Sequence, residues 1–189
     1  MIKSIMLVGV GGQGTILASK LLTTGLMEAG YDVKMSEIHG MSQRGGSVSS
    51  QVRYGEDVQA SVIEIGGADI LVSFEKMEAL RWLKYLKPEG KVVVNDYEIK
   101  SMPILNGRAD YPEGIIEELQ SKAKTTVIDA AKLAIQLGNA RVMNIIMLGT
   151  IIKAMGLEQI NWDKILRDNV KPQFVNINLK AIEVGMGLV

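Results

Sequence analysis

Short apolar runs alternate with helically spaced apolar positions along most of the chain. Ile2–Val10 (IKSIMLVGV) is a run of the kind that fills a buried parallel strand. Behind it Ile16, Leu17, Leu21, Leu22 and Leu26 recur at helical spacing, and Gly30 stands where a helix is expected to stop. YDVKMSE alternates and predicts a second strand ending at Glu37, which completes a right-handed βαβ unit. The pattern then breaks. IHGMSQRGGS is polar and glycine-rich, a loop, and SVSSQVRYGEDVQASVIEIG alternates on both sides of Tyr54-Gly55-Glu56-Asp57, which predicts a hairpin. A doubly wound dehydrogenase fold places a helix there. The expected sheet is therefore mixed, with an antiparallel element inserted after strand two.

Strand and helix then alternate again. ADILVSF reads as a buried strand, and EKMEALRWLKYL as an amphipathic helix stopped by Pro88-Glu89-Gly90. KVVVND is a strand, PEGIIEELQSKA a helix with Pro112 near its start, TTVIDA a short strand, and AAKLAIQLG a helix ending at Gly138. From Arg141 onward the pattern is helical only. RVMNIIMLGTIIKAMG is apolar on nearly all sides, which predicts a core helix or one that packs on another chain, with Asn144 and Gly149 allowing close approach. The fold class that follows is α/β, in three α/β/α layers. Its sheet is mixed and mostly parallel, carries an inserted β-hairpin, and is followed by a helical C-terminal part. At 189 residues with no repeat or linker, residues 1–189 are expected to form one domain.

Composition narrows the chemistry. Basic and acidic residues balance at 21 each, which argues against a nucleic-acid footprint, and two Trp, five Tyr and two Phe make a base-stacking platform a poor expectation. With no cysteine there is neither disulfide nor thiolate ligand for zinc or an iron–sulfur cluster, and with one histidine, His39, no metal site is expected. The amino terminus enters a strand without a basic-then-apolar leader, and the longest apolar segment is too short to span a bilayer. A cytoplasmic location, away from membranes, is the expectation.

Gly9, Gly11 and Gly14 fit G-x-G-x-x-G between a strand and a helix. Glycines permit the tight turn, and the amides of Gly11, Gly12, Gln13, Gly14 and Thr15 approach a helix N-terminus, where unpaired N–H groups and the helix dipole attract an anion. Glu37, at the end of strand two, occupies the place of a ribose-binding carboxylate. A dinucleotide and a packing turn are both compatible with this motif. The double glycine, the inserted antiparallel element and the lack of a second domain weigh against NAD.

EIHGMSQRGGSV places Glu37, His39, Ser42, Gln43, Arg44 and Gly45 in a loop beside that turn, at the carboxyl ends of strands expected to be adjacent, where open α/β sheets bind ligands. Arg44 offers a fork for a carboxylate or phosphate, and His39 a group that changes charge near neutral pH. The plainer reading pairs Arg44 with Glu37 and leaves His39 a loop residue.

GVGGQGTILASKLL, EIHGMSQRGGSV, NIIMLG and FVNINLKAIEVG together resemble the small (beta) subunits of indolepyruvate:ferredoxin oxidoreductases. More distantly they resemble the gamma-type domain of the pyruvate and 2-ketoisovalerate ferredoxin oxidoreductases. The resemblance runs from about Ile5 to Gly187. It implies a hetero-oligomeric enzyme in which a large (alpha) subunit carries thiamine diphosphate and the iron–sulfur clusters. The reaction it implies is oxidative decarboxylation of an arylpyruvate with coenzyme A to an acyl-CoA, with electrons passing to ferredoxin. By the same resemblance this chain binds no cofactor alone, and its catalytic residues stay unassigned. The competing readings are a stand-alone NAD-dependent oxidoreductase resting on Gly9, Gly11, Gly14 and Glu37, and a non-catalytic anion- or CoA-binding module.

Overall fold

A computed structural model of the chain describes residues 1–40 and 45–189. Among these lie six strands: β1 (Lys3–Val10), β2 (Asp32–His39), β3 (Ser47–Gly55), β4 (Ala68–Ser73), β5 (Leu86–Asn95) and β6 (Lys124–Ile128). The helices are α1 (Thr15–Glu28), α2 (Lys76–Trp82), α3 (Met102–Leu105), α4 (Ile115–Lys122), α5 (Ala130–Gln136), α6 (Met143–Met155), α7 (Trp162–Asn169) and α8 (Pro172–Met186). The sheet order is β2-β3-β1-β4-β5-β6. β1, β4, β5 and β6 run parallel, while β3 is antiparallel to both β1 and β2. The expected mixed, mostly parallel sheet in an α/β fold is what forms.

The inserted hairpin is present, but not where the alternation placed it. Its arms are β2 and β3, and residues 56–67 form no strand. Side chains satisfy that segment's backbone in place of a ladder. The Val58 amide donates to Asp32 at 2.7 Å, the Ile63 amide donates to Gln51 at 2.6 Å, and Arg53 Nη1 donates to the carbonyls of Ala60 and Val62, both at 3.2 Å. β1 and β2 are therefore not neighbours, because β3 lies between them. Three element ends also differ from expectation. α2 stops at Trp82 and β5 takes in Pro88, with a register irregularity against β4, and α4 starts three residues beyond Pro112.

Two cores flank the sheet. On one face β1, β3 and β4 pack against α1, α5, α6, α7 and α8. On the other, Met6, Val8, Leu71, Val92 and Val94 meet α2 and α4. The largely apolar α6 is buried within this chain from Asn144 to Ile152, so that stretch belongs to the core. α8 crosses it at Gly149 and Gly185, where an added Cβ would strike the carbonyls of Ile182 and Ile146 respectively. Among the described residues no helix is long and apolar enough to cross a membrane.

Candidate functional site

β1 and β4 leave the sheet toward helices on opposite faces, which makes the gap between them the switch point where open α/β sheets form a crevice. That crevice is bridged by the protein itself. The Gln13 side chain donates from Nε2 to the Phe74 carbonyl at 2.8 Å and accepts the Val10 amide on Oε1 at 2.8 Å. Asn95 donates to the same Phe74 carbonyl at 3.2 Å. Gly9 makes the bridge possible, because a Cβ there would stand 2.8 Å from Gln13 Oε1. Gln13, expected in an anion loop, is thus an internal brace, and its own amide donates to the Val10 carbonyl at 3.2 Å.

The turn beyond it needs two left-handed residues, Gly12 at φ 101° and Gly14 at φ 80°. Asn144 of α6 supports the second, donating to the Gly14 carbonyl at 3.2 Å. The Gly11 amide also departs from expectation. It donates to the Gly46 carbonyl at 2.9 Å, so it stitches the turn to the start of β3 rather than facing a ligand. The amides left for an anion are those of Gly12, Gly14 and the first turn of α1 from Thr15. Helix geometry gives the amides of Gly14 and the first turn no intrahelical acceptor, the Gly12 amide precedes them in the turn, and no side chain caps this end.

Across from the turn stand the end of β2 and the start of β3. His39, Gly40 and Val48 close a cleft of about 530 Å³ with Gly11, Gly12, Gly14, Thr15 and Ile16. Glu37 stands behind this wall. Its Oε1 accepts the Ser19 hydroxyl at 2.8 Å and the Ser50 hydroxyl at 3.4 Å, while its Oε2 lies 3.6 Å from His39 Nε2. It therefore supports His39 rather than occupying a ribose site, and the intervening β3 moves it a further ~4.8 Å from β1. Gly45 (φ 81°) is exposed and does not line the cleft. Ser42, Gln43 and Arg44 lie outside the described residues, so the pairing of Arg44 with Glu37 has no structural description.

Sequence reasoning missed three walls of the cleft: Ile16, Gly40 and Val48. Ile16 reads as part of the buried stripe of α1, yet it is exposed at the cleft rim. Its place in the first helical turn, beyond the reach of the sheet, was the available signal.

A second hollow of about 570 Å³ lies at the start of α4, lined by Lys76, Asp96, Glu98, Lys100 and Tyr111 among others. Its chemistry is internally matched. Lys76 pairs with Glu98 at 2.7 Å and Asp96 at 3.3 Å, and the hydrogen bond to Glu98 leads the contacts that raise its pKa. Tyr111 donates to the buried Glu75 at 2.5 Å, and burial first, then Glu75, push its hydroxyl well above the usual range. Among the described residues no group of three His, Cys, Asp or Glu is placed to hold a metal ion. The cleft at the glycine turn is the better candidate for a ligand site. It joins N–H groups suited to an anion with an apolar wall suited to the body of an organic molecule.

Residues 4–188 match the family model described as pyruvate ferredoxin/flavodoxin oxidoreductase. The indolepyruvate oxidoreductase subunit IorB of Pyrococcus horikoshii is 39% identical over 190 residues, which cover 97% of this chain and 94% of that protein. The pyruvate/ketoisovalerate oxidoreductases common subunit gamma of Pyrococcus furiosus is 25% identical over 177 residues, 92% of this chain and 89% of that one. Among solved structures, pyruvate oxidoreductase subunit PORC of Thermotoga maritima shares the fold. Its TM-score is 0.77 at 22% identity, and the match covers 99% of this chain and 96% of that one.

Proposed function

The chain belongs to the pyruvate ferredoxin/flavodoxin oxidoreductase family, and we propose that within it the chain is the cluster-free subunit of a 2-oxoacid:ferredoxin oxidoreductase acting on indolepyruvate-type substrates. The observation that carries this reading is the near full-length likeness to an indolepyruvate oxidoreductase subunit. The reaction is the oxidative decarboxylation of an arylpyruvate with coenzyme A to an acyl-CoA. A large subunit would supply thiamine diphosphate, the electron sink for decarboxylation, and the clusters that would carry electrons singly to ferredoxin. The absence of cysteine supports that division, because every cluster thiolate has to come from another chain.

This chain's contribution is positioning and charge neutralisation. The amides of Gly12, Gly14 and Thr15 hold an anionic group: the oxoacid carboxylate, a coenzyme A phosphate or a cofactor phosphate. Ile16 and Val48 shield its organic part from water, and His39, backed by Glu37, stands at the rim. Ser42, Gln43, Arg44 and Gly45 follow three residues on in sequence, and the Arg44 fork suits the same anion. The NAD reading is the weaker one, because Gln13 bridges the switch-point crevice and Glu37 is held by Ser19 and Ser50.

The test is anaerobic purification of the tagged chain from its own host. A large iron–sulfur polypeptide at fixed stoichiometry, with arylpyruvate- and CoA-dependent viologen reduction, is expected. Recovery of the chain alone, under conditions that keep other complexes intact, would overturn the assignment.

A further inference from the structure

We propose that Glu78 is a positioning residue for the cleft, a buried carboxylate on α2 that acts through Ser47 to hold the start of β3 against the glycine turn. Its bearing on function rests on the reading of the cleft as an anion site. Glu78 is only 2% exposed, and a buried carboxylate persists only where donors surround it. Two of its donors come from its own neighbourhood: Arg81 Nε at 3.0 Å and Trp82 Nε1 at 3.2 Å. The third, the Ser47 hydroxyl, comes from β3 and ties two elements together.

Ser47 sits where the cleft is assembled. It lies opposite Val10 in the β1–β3 register, and its carbonyl accepts the Gly40 amide at 3.3 Å. The preceding carbonyl, of Gly46, accepts the Gly11 amide. Gly45 and Gly46 have little stiffness of their own. The alignment of the Gly46 carbonyl with the glycine turn is therefore set by the side chain that anchors the next residue, and Glu78 anchors it from the far face of the sheet.

Amide hydrogen exchange of the full chain tests this directly. In Glu78→Ala the Gly11 amide is expected to exchange about tenfold faster, the scale of one lost hydrogen bond, while the β1 amide of Leu7 is unchanged. Glu78→Gln keeps an acceptor for Ser47 and gives up only the Arg81 pair, so it is expected to stay near wild type. Ser47→Ala removes the same tie, and with it the weaker 3.4 Å contact from Trp82 Nε1 to the Ser47 hydroxyl, but keeps the Arg81 and Trp82 bonds to Glu78, and is the readout if Glu78→Ala does not fold. The double variant is expected to exchange no faster than the faster single one, since both break the same Ser47–Glu78 bond. Unchanged Gly11 exchange in both Ala variants, or additive effects in the double, would overturn the proposal. Calorimetry with inorganic pyrophosphate separates this from the reading of the cleft. Weaker binding by Glu78→Ala, restored in Glu78→Gln, is expected, and equal binding by Glu78→Ala and wild type would refute the positioning role. If Gly11 responds as expected but wild type binds no pyrophosphate, the positioning role stands and the anion reading fails.

Discussion

Gly12 and Gly14 share a left-handed backbone but not the same surroundings. An Ala at position 12 meets open space, so Gly12→Ala is expected to cost only the backbone strain, about 1–2 kcal/mol, or a fall in Tm of about 2–8 °C. At position 14 the new Cβ also stands 2.5 Å from Asn144 Nδ2 and displaces the amide that supports the turn. Gly14→Ala is therefore expected to lower Tm by a clearly larger margin in thermal unfolding, and equal losses would show that α6 does not support the turn. Tyr54 carries a pH dependence. Burial first, and then the charges of Tyr31 and Asp69, hold its hydroxyl up to about 12 against an ordinary 10.0. The folded state keeps a proton that the unfolded chain has released, so this stability is complete below pH 10 and is lost as pH rises toward about 12. Tyr54→Phe keeps the edge-to-face packing on Tyr31 and is expected to flatten that alkaline limb in urea titrations taken from pH 9 to 12. The glycines were legible in the sequence because left-handed turns select them. The roles of Gln13 and Glu37 were not, because an amide and a carboxylate carry the same chemistry whether they face a ligand or a neighbouring hydroxyl.

At the scale of elements, α6 and α8 touch backbone to backbone. Since the obstacle at Gly149 and Gly185 is a carbonyl rather than a side chain, relaxation is limited, and Ala at either position is expected to cost about 1–3 kcal/mol or more. Urea unfolding at unchanged m-value reads this, and a shift of only a few tenths would mean that the helices slide apart freely. The pattern of apolar residues found α6 and marked Gly149 as a point of close approach, but its partner, thirty-odd residues on, was invisible. The hairpin shows the opposite failure. Alternation continues past Tyr54 into Val58–Ile63, yet those residues are held by side chains of Asp32, Gln51 and Arg53. A strand and a braced coil can share one hydrophobic pattern, and only the available hydrogen-bond partners separate them.

At the scale of the whole molecule, the chemistry proposed here is divided between chains, so its readout is the assembled enzyme. Arg44→Ala in that assembly is expected to raise KM for the anion proposed to meet it, the oxoacid or coenzyme A, about tenfold or more with a small change in kcat. Unchanged KM for both would remove Arg44 from the site. The sequence by itself determined the α/β class, the mixed sheet, the helical carboxyl-terminal third and the family, because periodicity, glycine placement and loop residues are local and survive without coordinates. The tertiary structure decided which of those local features face one another. It placed β3 between β1 and β2, turned Gln13 inward across the switch point, set Glu37 behind His39, and brought Glu78 from the far side of the sheet to Ser47. Apart from the Glu37–His39 pair on β2, itself set by Ser19 and Ser50, these are contacts between residues distant in sequence, fixed by strand order and by the satisfaction of buried polar groups, and neither is written in the pattern of any single segment.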